Sequence, residues 1–171
     1  MSTVLIAYDG SDDAERALDA AHRLLGADCA IVATVWESSM ASMPMITDPG
    51  MSGYGMADPA VDPRTEQVLD ENADHRAHAV AEQGVKAART AGFARVHAVV
   101  ALDATDVAHT LIGLAGEHHA DVIAVGSRGH GGMLRRLMGS TSSALVKHSP
   151  LPVLVAPRTP EESDRHAEDA R

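Results

Sequence analysis

The sequence predicts an open α/β fold, in which a parallel five-stranded sheet is covered by helices on both faces. Continuous apolar runs of strand length recur along the chain, as expected for strands that are buried on both faces. Stretches of helical period separate these runs, so the predicted order of elements is βαβαβαβαβ. Right-handed crossovers join parallel strands in such folds, but periodicity does not give the strand order.

The composition suits one domain of ordinary size. The 171 residues include 14 Lys plus Arg and 24 Asp plus Glu, which gives a net charge of -10. This balance argues against nucleic-acid binding, which needs clustered positive charge. Cys29 is the only cysteine, which excludes an intrachain disulfide and fits a reducing cytosol. With no signal-peptide pattern and no run of the roughly 20 apolar residues that span a membrane, we expect a soluble, cytoplasmic protein.

The first elements are a strand, a helix and a second strand. Thr3–Tyr8 is the first predicted strand, and Ser11 in the following turn is a suitable helix cap. A helical stripe of Ala and Leu then continues to Gly26, which we expect to end the helix. Cys29–Val35 is predicted as the second buried strand, followed by Trp36, for which we favour a place in the core.

Two segments differ in composition from the rest. Glu37–Pro63 is rich in Met, Ser, Pro and Gly and keeps no period, so we interpret it as a flexible insertion loop. A tolerated surface insertion is the simpler explanation, although its five methionines could form an adaptable contact surface for a protein partner. Arg158–Arg171 is a charged tail that we expect to be disordered, which leaves residues 1–157 as the domain.

A long helix and a third strand follow the insertion. The helix is predicted over Arg64–Ala91 and the strand over Arg95–Leu102. Asp103 or Thr105 could cap the next helix, which ends near His118.

The stretch Asp121–Pro157 combines a strand, a glycine-rich loop, a helix and a last strand. The strand is predicted over Asp121–Val125, the helix from about Ser140 to His148, and the last strand over Leu151–Ala156. A strand that leads into glycines and then into a helix N-terminus is suited to holding phosphate.

Each glycine of this stretch has a physical reason in a phosphate site. Gly126 follows the strand directly, where a side chain would collide with a ligand at the sheet edge. Gly129 can adopt a positive φ or let a phosphate approach the backbone. Gly139 and Ser140 begin a helix whose unpaired N–H groups attract an anion, and Thr141 adds a hydroxyl. Spacing alone supports equally a purely structural role for these residues, since hydroxyls at helix starts are usually only caps.

Two familiar phosphate motifs are absent. The helix does not open with G-x4-G-K-[ST], and no G-x-G-x-x-G follows the first strand. The first turn instead begins with Asp9, which disfavours a P-loop or a standard dinucleotide fold.

The spacing G-x2-G-x9-G-S, with the helix after it and the run PLPVLVAP at residues 150–157, resembles the ATP-binding signature of the universal stress protein family. The run VLIAYDGS at residues 4–11 is similar to that family's opening strand and turn. The resemblance covers about residues 2–157, with 37–63 in the family's variable region. It implies a Rossmann-like, adenine nucleotide alpha hydrolase-like sheet with strand order 3-2-1-4-5.

The implied order reverses between strands 1 and 4, and open α/β sheets bind ligands beyond the carboxyl ends of their strands at such a point. The resemblance therefore implies a nucleotide site between the first turn and the glycine-rich loop. Asp9 would accept hydrogen bonds from ribose hydroxyls, with capping of its own turn as the simpler role. Val35 would contact the adenine edge through its backbone, and Ala7 would line the base pocket.

The phosphates would meet backbone N–H groups and hydroxyls at Gly126, Gly129, Gly139, Ser140 and Thr141. Arg128 could add a charge-assisted contact, although a solvated side chain is equally consistent with its position. The expected ligand is ATP, with ADP, AMP or cyclic AMP as alternatives. We expect Mg²⁺ only together with the nucleotide.

The function that this implies is regulatory, with bound ATP changing a dimer or partner contact. Leu151–Ala156 would be an edge strand, which is normally paired or covered, and members of the family commonly dimerise there. We therefore expect a homodimer. A slow ATP hydrolase or nucleotidyl-transfer enzyme is one alternative, but no base, nucleophile or metal carboxylate set is evident near the loop. The other is a nucleotide-independent partner-binding module, which the intact glycine spacing disfavours.

Overall fold

A computed structural model describes residues 2–37, 63–103, 106–128 and 138–157, and within them strands and helices alternate as predicted. The strands are β1 (Thr3–Ala7), β2 (Cys29–Trp36), β3 (Arg95–Leu102), β4 (Val122–Gly126) and β5 (Val153–Ala156). The helices are α1 (Asp12–Leu25), α2 (Pro63–Ala91), α3 (Val107–Glu117) and α4 (Ser140–His148). The insertion and tail predicted at 37–63 and 158–171 lie almost entirely outside the described residues.

The five strands form one parallel sheet in the order β3-β2-β1-β4-β5, which confirms the implied order 3-2-1-4-5. The register pairs Ile6 of β1 with Ala124 of β4 and Ala7 with Ala33 of β2. The chain reverses its direction of travel across the sheet between β1 and β4, so the carboxyl ends of these two strands are neighbours.

Two apolar cores lie on opposite faces of the sheet, because successive strand residues point to opposite sides. On one face, α1 and α2 pack over Val4 and Ile6. On the other face, α3 and α4 pack over Leu5 and Ile123. Helices on both faces explain why the strands are apolar throughout rather than alternating.

The helix ends follow the predicted capping chemistry, with one correction. The Ser11 hydroxyl accepts a hydrogen bond from the Ala14 N–H at 3.2 Å, and Gly26 ends α1 with a left-handed φ of 58°. The cap of α3 is Asp106, not Asp103 or Thr105, because the helix begins later than predicted. The Asp106 carboxylate accepts from the His109 N–H at 3.0 Å.

Several large apolar residues of the helices are exposed. Leu24 and Leu25 at the end of α1 are exposed, and so is Leu69 in the first half of α2. The 29 residues of α2 span about 44 Å, whereas the eight residues of β3 span about 27 Å. Trp36 is half-buried at the end of β2 and not in the core as favoured.

Gly84 allows α2 to lie close to the sheet. A Cβ at this position would stand 2.7 Å from both the Tyr8 ring and a methyl group of Val32. A side chain there would force α2 away from β1 and β2. None of the described helices has the length and apolar character needed to cross a membrane.

Candidate functional site

The carboxyl ends of β1, β2 and β4 meet at one edge of the sheet, where the sequence predicted a site. Parallel pairing of β1 with both β2 and β4 brings Ala7, Val35 and Gly126 to this edge, although they are far apart in sequence. The edge coincides with the point where the strand order reverses, the place where open α/β sheets bind ligands.

Ala7 and Val35 lie on the same face of the sheet. Both are half-buried and pack against the cluster that α3 and α4 cover. Ala7 pairs with Ala33, two residues before Val35, so the two predicted base-pocket residues stand on adjacent strands. The structure thus places them together, at the ends of their strands.

Asp9 is exposed in the turn after β1 and caps that turn, which is the simpler of the two roles considered for it. Its Oδ1 accepts hydrogen bonds from the Ser11 backbone N–H at 3.0 Å and from the Ser11 hydroxyl at 2.6 Å. A carboxylate can accept further bonds, because its two oxygens have about four lone-pair sites. Capping of the turn therefore fixes Asp9 at the edge.

Tyr8 anchors the end of β1 on the opposite face. Its carbonyl accepts from the Thr34 hydroxyl at 2.9 Å, and its phenol lies 3.4 Å from a carboxylate oxygen of Glu15. Burial raises the pKa of the Tyr8 phenol to about 12, with further contributions from the charges of Glu15 and Asp9 and from the hydrogen bond to Glu15. The side chain belongs to the α1/α2 core, so it fixes the strand and does not face Ala7 and Val35.

The space beside Gly126 is occupied by α1. A Cβ at Gly126 would lie 2.7 Å from the carbonyl carbon and from the Cβ of Asp13. The expected reason for this glycine, open space for a ligand, is therefore replaced by close packing of β4 against the first turn of α1.

The start of α4 lies next to the end of β4. The Gly139 N–H donates to the Ser127 carbonyl at 2.7 Å, and the Ser142 hydroxyl donates to the same oxygen at 3.1 Å. Gly139 is the cap residue of α4 and supplies no side-chain bond. The N–H groups of Ser140 and Thr141 have no acceptor within the helix, as in the first turn of any helix.

Asp13 is the functional candidate that sequence reasoning missed. It is only 2% exposed, and its Oδ2 accepts hydrogen bonds from the Ser127 hydroxyl and from the Arg128 backbone N–H, both at 3.0 Å. Its Oδ1 forms an ion pair with Arg16. The available signal was periodicity, since Asp13 precedes the buried Ala17 by one helical turn and so carries a carboxylate on an apolar stripe.

Of the two remaining predicted residues, the structure describes Arg128 but not Gly129. Arg128 is half-buried and follows β4, with its backbone N–H directed to Asp13. Gly129 lies outside the described residues. Within the part of the chain that the structure describes, no three His, Cys, Asp or Glu side chains are grouped to hold a metal ion.

The model of the universal stress protein family matches residues 1–157 of the chain. The chain belongs to the universal stress protein family. Comparison of this universal stress protein with curated protein sequences gives no match.

Solved structures of the family share its fold. The universal stress protein UspA of Lactobacillus plantarum is 24% identical, with a TM-score of 0.63 over 91% of this chain and 97% of that one. A universal stress protein in complex with cAMP is also 24% identical, with a TM-score of 0.58 over 92% and 98% of the two chains. An Arabidopsis thaliana family protein with AMP bound is 17% identical, with a TM-score of 0.58 over 95% of each chain.

Proposed function

We propose that this universal stress protein binds an adenine nucleotide, ATP in the first place, at the carboxyl edge between β1 and β4, and acts as a regulator. One observation carries the proposal. The uncapped first turn of α4 is fastened beside the end of β4, at the reversal point of the sheet, by the bond from the Gly139 N–H to the Ser127 carbonyl. Unpaired N–H groups and the positive end of the helix dipole at such a position stabilise an anion.

In this proposal each end of the site binds a different part of the nucleotide. Ala7 and the Val35 backbone contact the base, and the exposed Asp9 carboxylate accepts from the ribose hydroxyls. We assign the phosphates to the other end, which is formed by Gly126, Arg128, Gly129, Gly139, Ser140 and Thr141. The N–H groups and hydroxyls of Ser140 and Thr141 and the Arg128 side chain are the donors there, because the N–H groups of Gly139 and Arg128 already donate to Ser127 and Asp13.

The distribution of charge supports placing the phosphates at α4. The first turn of α1 carries three acidic residues, whereas the first turn of α4 carries none. Phosphates at α4 therefore meet no acidic side chain from the first turn of that helix, in a protein with a net charge of -10. Mg²⁺, if it accompanies the nucleotide, would be held mainly by the phosphates.

The solved relatives support the class of ligand. One is a complex with cAMP and another has AMP bound. Both nucleotides share the adenosine part that we assign to the β1–β2 end, and they differ in the phosphate part. ADP, AMP and cyclic AMP are therefore included as competing ligands.

Two measurements test the proposal. Mass spectrometry of ligand retained through purification identifies the nucleotide directly, and we expect an adenine nucleotide. Calorimetry with ATP, ADP, AMP and cyclic AMP then ranks the ligands, with and without Mg²⁺. Protein that retains no nucleotide and gives no binding heat with any of the four would overturn the proposal.

We also propose a homodimer through Leu151–Ala156, within which β5 is an edge strand of the sheet. Val153, Leu154 and Val155 are only partly buried in the single chain, and an unpaired apolar edge favours association. Light scattering at micromolar concentration should give the mass of two chains. A single-chain mass would refute the dimer and leave the nucleotide site untouched.

The regulatory role includes two further proposals. A partner contact through the methionine-rich segment 37–63 predicts that deletion of residues 40–60 abolishes partner binding and preserves nucleotide binding. A cytoplasmic location fits the lone cysteine, which is buried and forms no disulfide. Fractionation of the cells that produce the protein tests this location.

A further inference from the structure

Asp13 is buried although its own helix does not need it. The N-terminus of α1 is already capped by Ser11, whose hydroxyl accepts from the Ala14 N–H. One oxygen of the Asp13 carboxylate pairs with Arg16 of the same helix, and the other accepts from Ser127 and Arg128, more than 110 residues later. Burial of a carboxylate is costly unless partners compensate it, and here Arg16, a hydroxyl and a backbone N–H do so.

Ser127 connects this carboxylate to α4. Its hydroxyl donates to Asp13, while its carbonyl accepts from the Gly139 N–H and from the Ser142 hydroxyl. Its own N–H donates to the Ala156 carbonyl of β5 at 2.9 Å. The start of α1, the end of β4 and the start of α4 are thus linked through one residue.

We propose that Asp13 is a positioning residue that holds the phosphate end of the nucleotide site in register with the ribose end. The inference rests on the proposed nucleotide site. Asp13 lies four residues after Asp9, which we assign to the ribose, and it holds the residues from which the glycine-rich loop departs. Through Ser127 it also sets where the first turn of α4 stands.

A positioning role and a purely electrostatic role of Asp13 predict opposite changes in ATP affinity when Asp13 is removed. A buried negative charge near the phosphate end repels phosphate, so an Asp13 that acted only through its charge would weaken ATP binding. Its removal would then strengthen ATP binding. If Asp13 acts by positioning, its removal weakens ATP binding, because Arg128 and the start of α4 lose the bonds that place them.

The experiment compares ATP with adenosine, which lacks the phosphates, by calorimetry on the full chain. We expect Asp13→Ala to weaken ATP binding about tenfold and to leave adenosine binding within about twofold. Asp13→Asn should restore part of the ATP affinity, since its amide oxygen can accept from Ser127 and Arg128 while its NH2 group cannot accept from Arg16. Ser127→Ala removes only the hydrogen bond from the Ser127 hydroxyl to Asp13, and it replaces Asp13→Ala in the experiment if that variant does not fold. We expect it to cause a smaller loss that is also specific to ATP.

Asp12→Asn is the matched control, because Asp12 is the exposed neighbour in the same turn, and its affinities should equal those of the wild type. Three outcomes in Asp13→Ala or Ser127→Ala would each overturn the positioning role. They are equal losses of ATP and adenosine affinity, unchanged ATP affinity, and tighter ATP binding. A wild-type protein that binds neither ligand overturns the proposed function instead. The two failures are therefore distinguishable.

Discussion

The N-termini of α1 and α4 lie at the same edge of the sheet but are built differently. α1 begins with a side-chain cap at Ser11 and has acidic residues in its first turn, whereas α4 begins with Gly139 and has neither. A helix N-terminus leaves N–H groups unpaired and carries a partial positive charge, which caps and acidic residues normally satisfy. A side chain therefore caps α1, whereas Gly139 gives α4 no side-chain cap.

α3 has a side-chain cap, as α1 does, but no acidic residue in its first turn. Asp106 caps it, and hydrogen bonds from the His109 backbone N–H and ring hold the pKa of the Asp106 carboxyl below its ordinary value. Of the three helices whose N-caps the structure describes, α4 alone has no side-chain cap, and it is the helix at the proposed phosphate end.

Gly139→Asp should have the largest effect, because it makes α4 resemble α1. Gly139 has a φ of -71°, and a Cβ there would make only ordinary contacts, the nearest at 3.5 Å, so a side chain fits. The new carboxylate would cap α4 and repel phosphate, and ATP affinity should fall at least about tenfold while thermal stability does not fall.

Gly139→Asn is the control for this change, since it adds a cap without a charge and should cost less ATP affinity. Calorimetry measures binding, and a thermal melt measures stability. Wild-type ATP affinity in Gly139→Asp would exclude the start of α4 as the phosphate site.

Gly126→Ala tests the close packing of β4 against the first turn of α1. The added Cβ would stand 2.7 Å from the Asp13 backbone, so α1 and β4 must separate. We expect a loss of about 1–3 kcal/mol in the free energy of unfolding. Denaturant titration measures it, with Gly113→Ala as control, because a Cβ in that exposed turn of α3 meets nothing within 4 Å and should stabilise the helix. Equal stability of Gly126→Ala and wild type would contradict the close packing.

Ser11→Ala removes the cap of α1 and should lower the free energy of unfolding by about 1 kcal/mol. Its loss of ATP affinity should be much smaller than that of Gly139→Asp, since Ser11 lies outside the proposed phosphate end and Asp9 keeps its bond from the backbone N–H of residue 11. Ser11→Thr keeps a capping hydroxyl and should behave like the wild type. An equally large loss of ATP affinity in Ser11→Ala would remove the functional contrast between the two helices.

Tyr8→Phe has the smallest expected effect at neutral pH, because the effect of the raised pKa is confined to alkaline pH. Because folding raises the pKa of this phenol to about 12, its stabilising contribution is complete below its ordinary pKa of 10 and is lost as pH rises toward 12. The free energy of unfolding should therefore fall between these pH values in the wild type. Tyr8→Phe should lack this decline, and parallel curves for the two proteins would contradict the buried, charge-flanked phenol.

Local chemistry predicted the elements and several of their ends. Apolar runs located the strands, and the caps Ser11 and Gly26 are confirmed because capping depends on neighbouring residues. The strand order came from the resemblance, since periodicity carries no information about which strands are neighbours. Asp13 and the packing reason for Gly126 were missed, because each depends on a contact across more than 110 residues.

Amide chemical shifts during an ATP titration test the central claim most directly. If the phosphates bind at the start of α4, ATP should shift the backbone N–H signals of Ser140 and Thr141 saturably, and adenosine should leave them nearly unchanged. Saturable ATP binding that leaves both signals in place would contradict the claim.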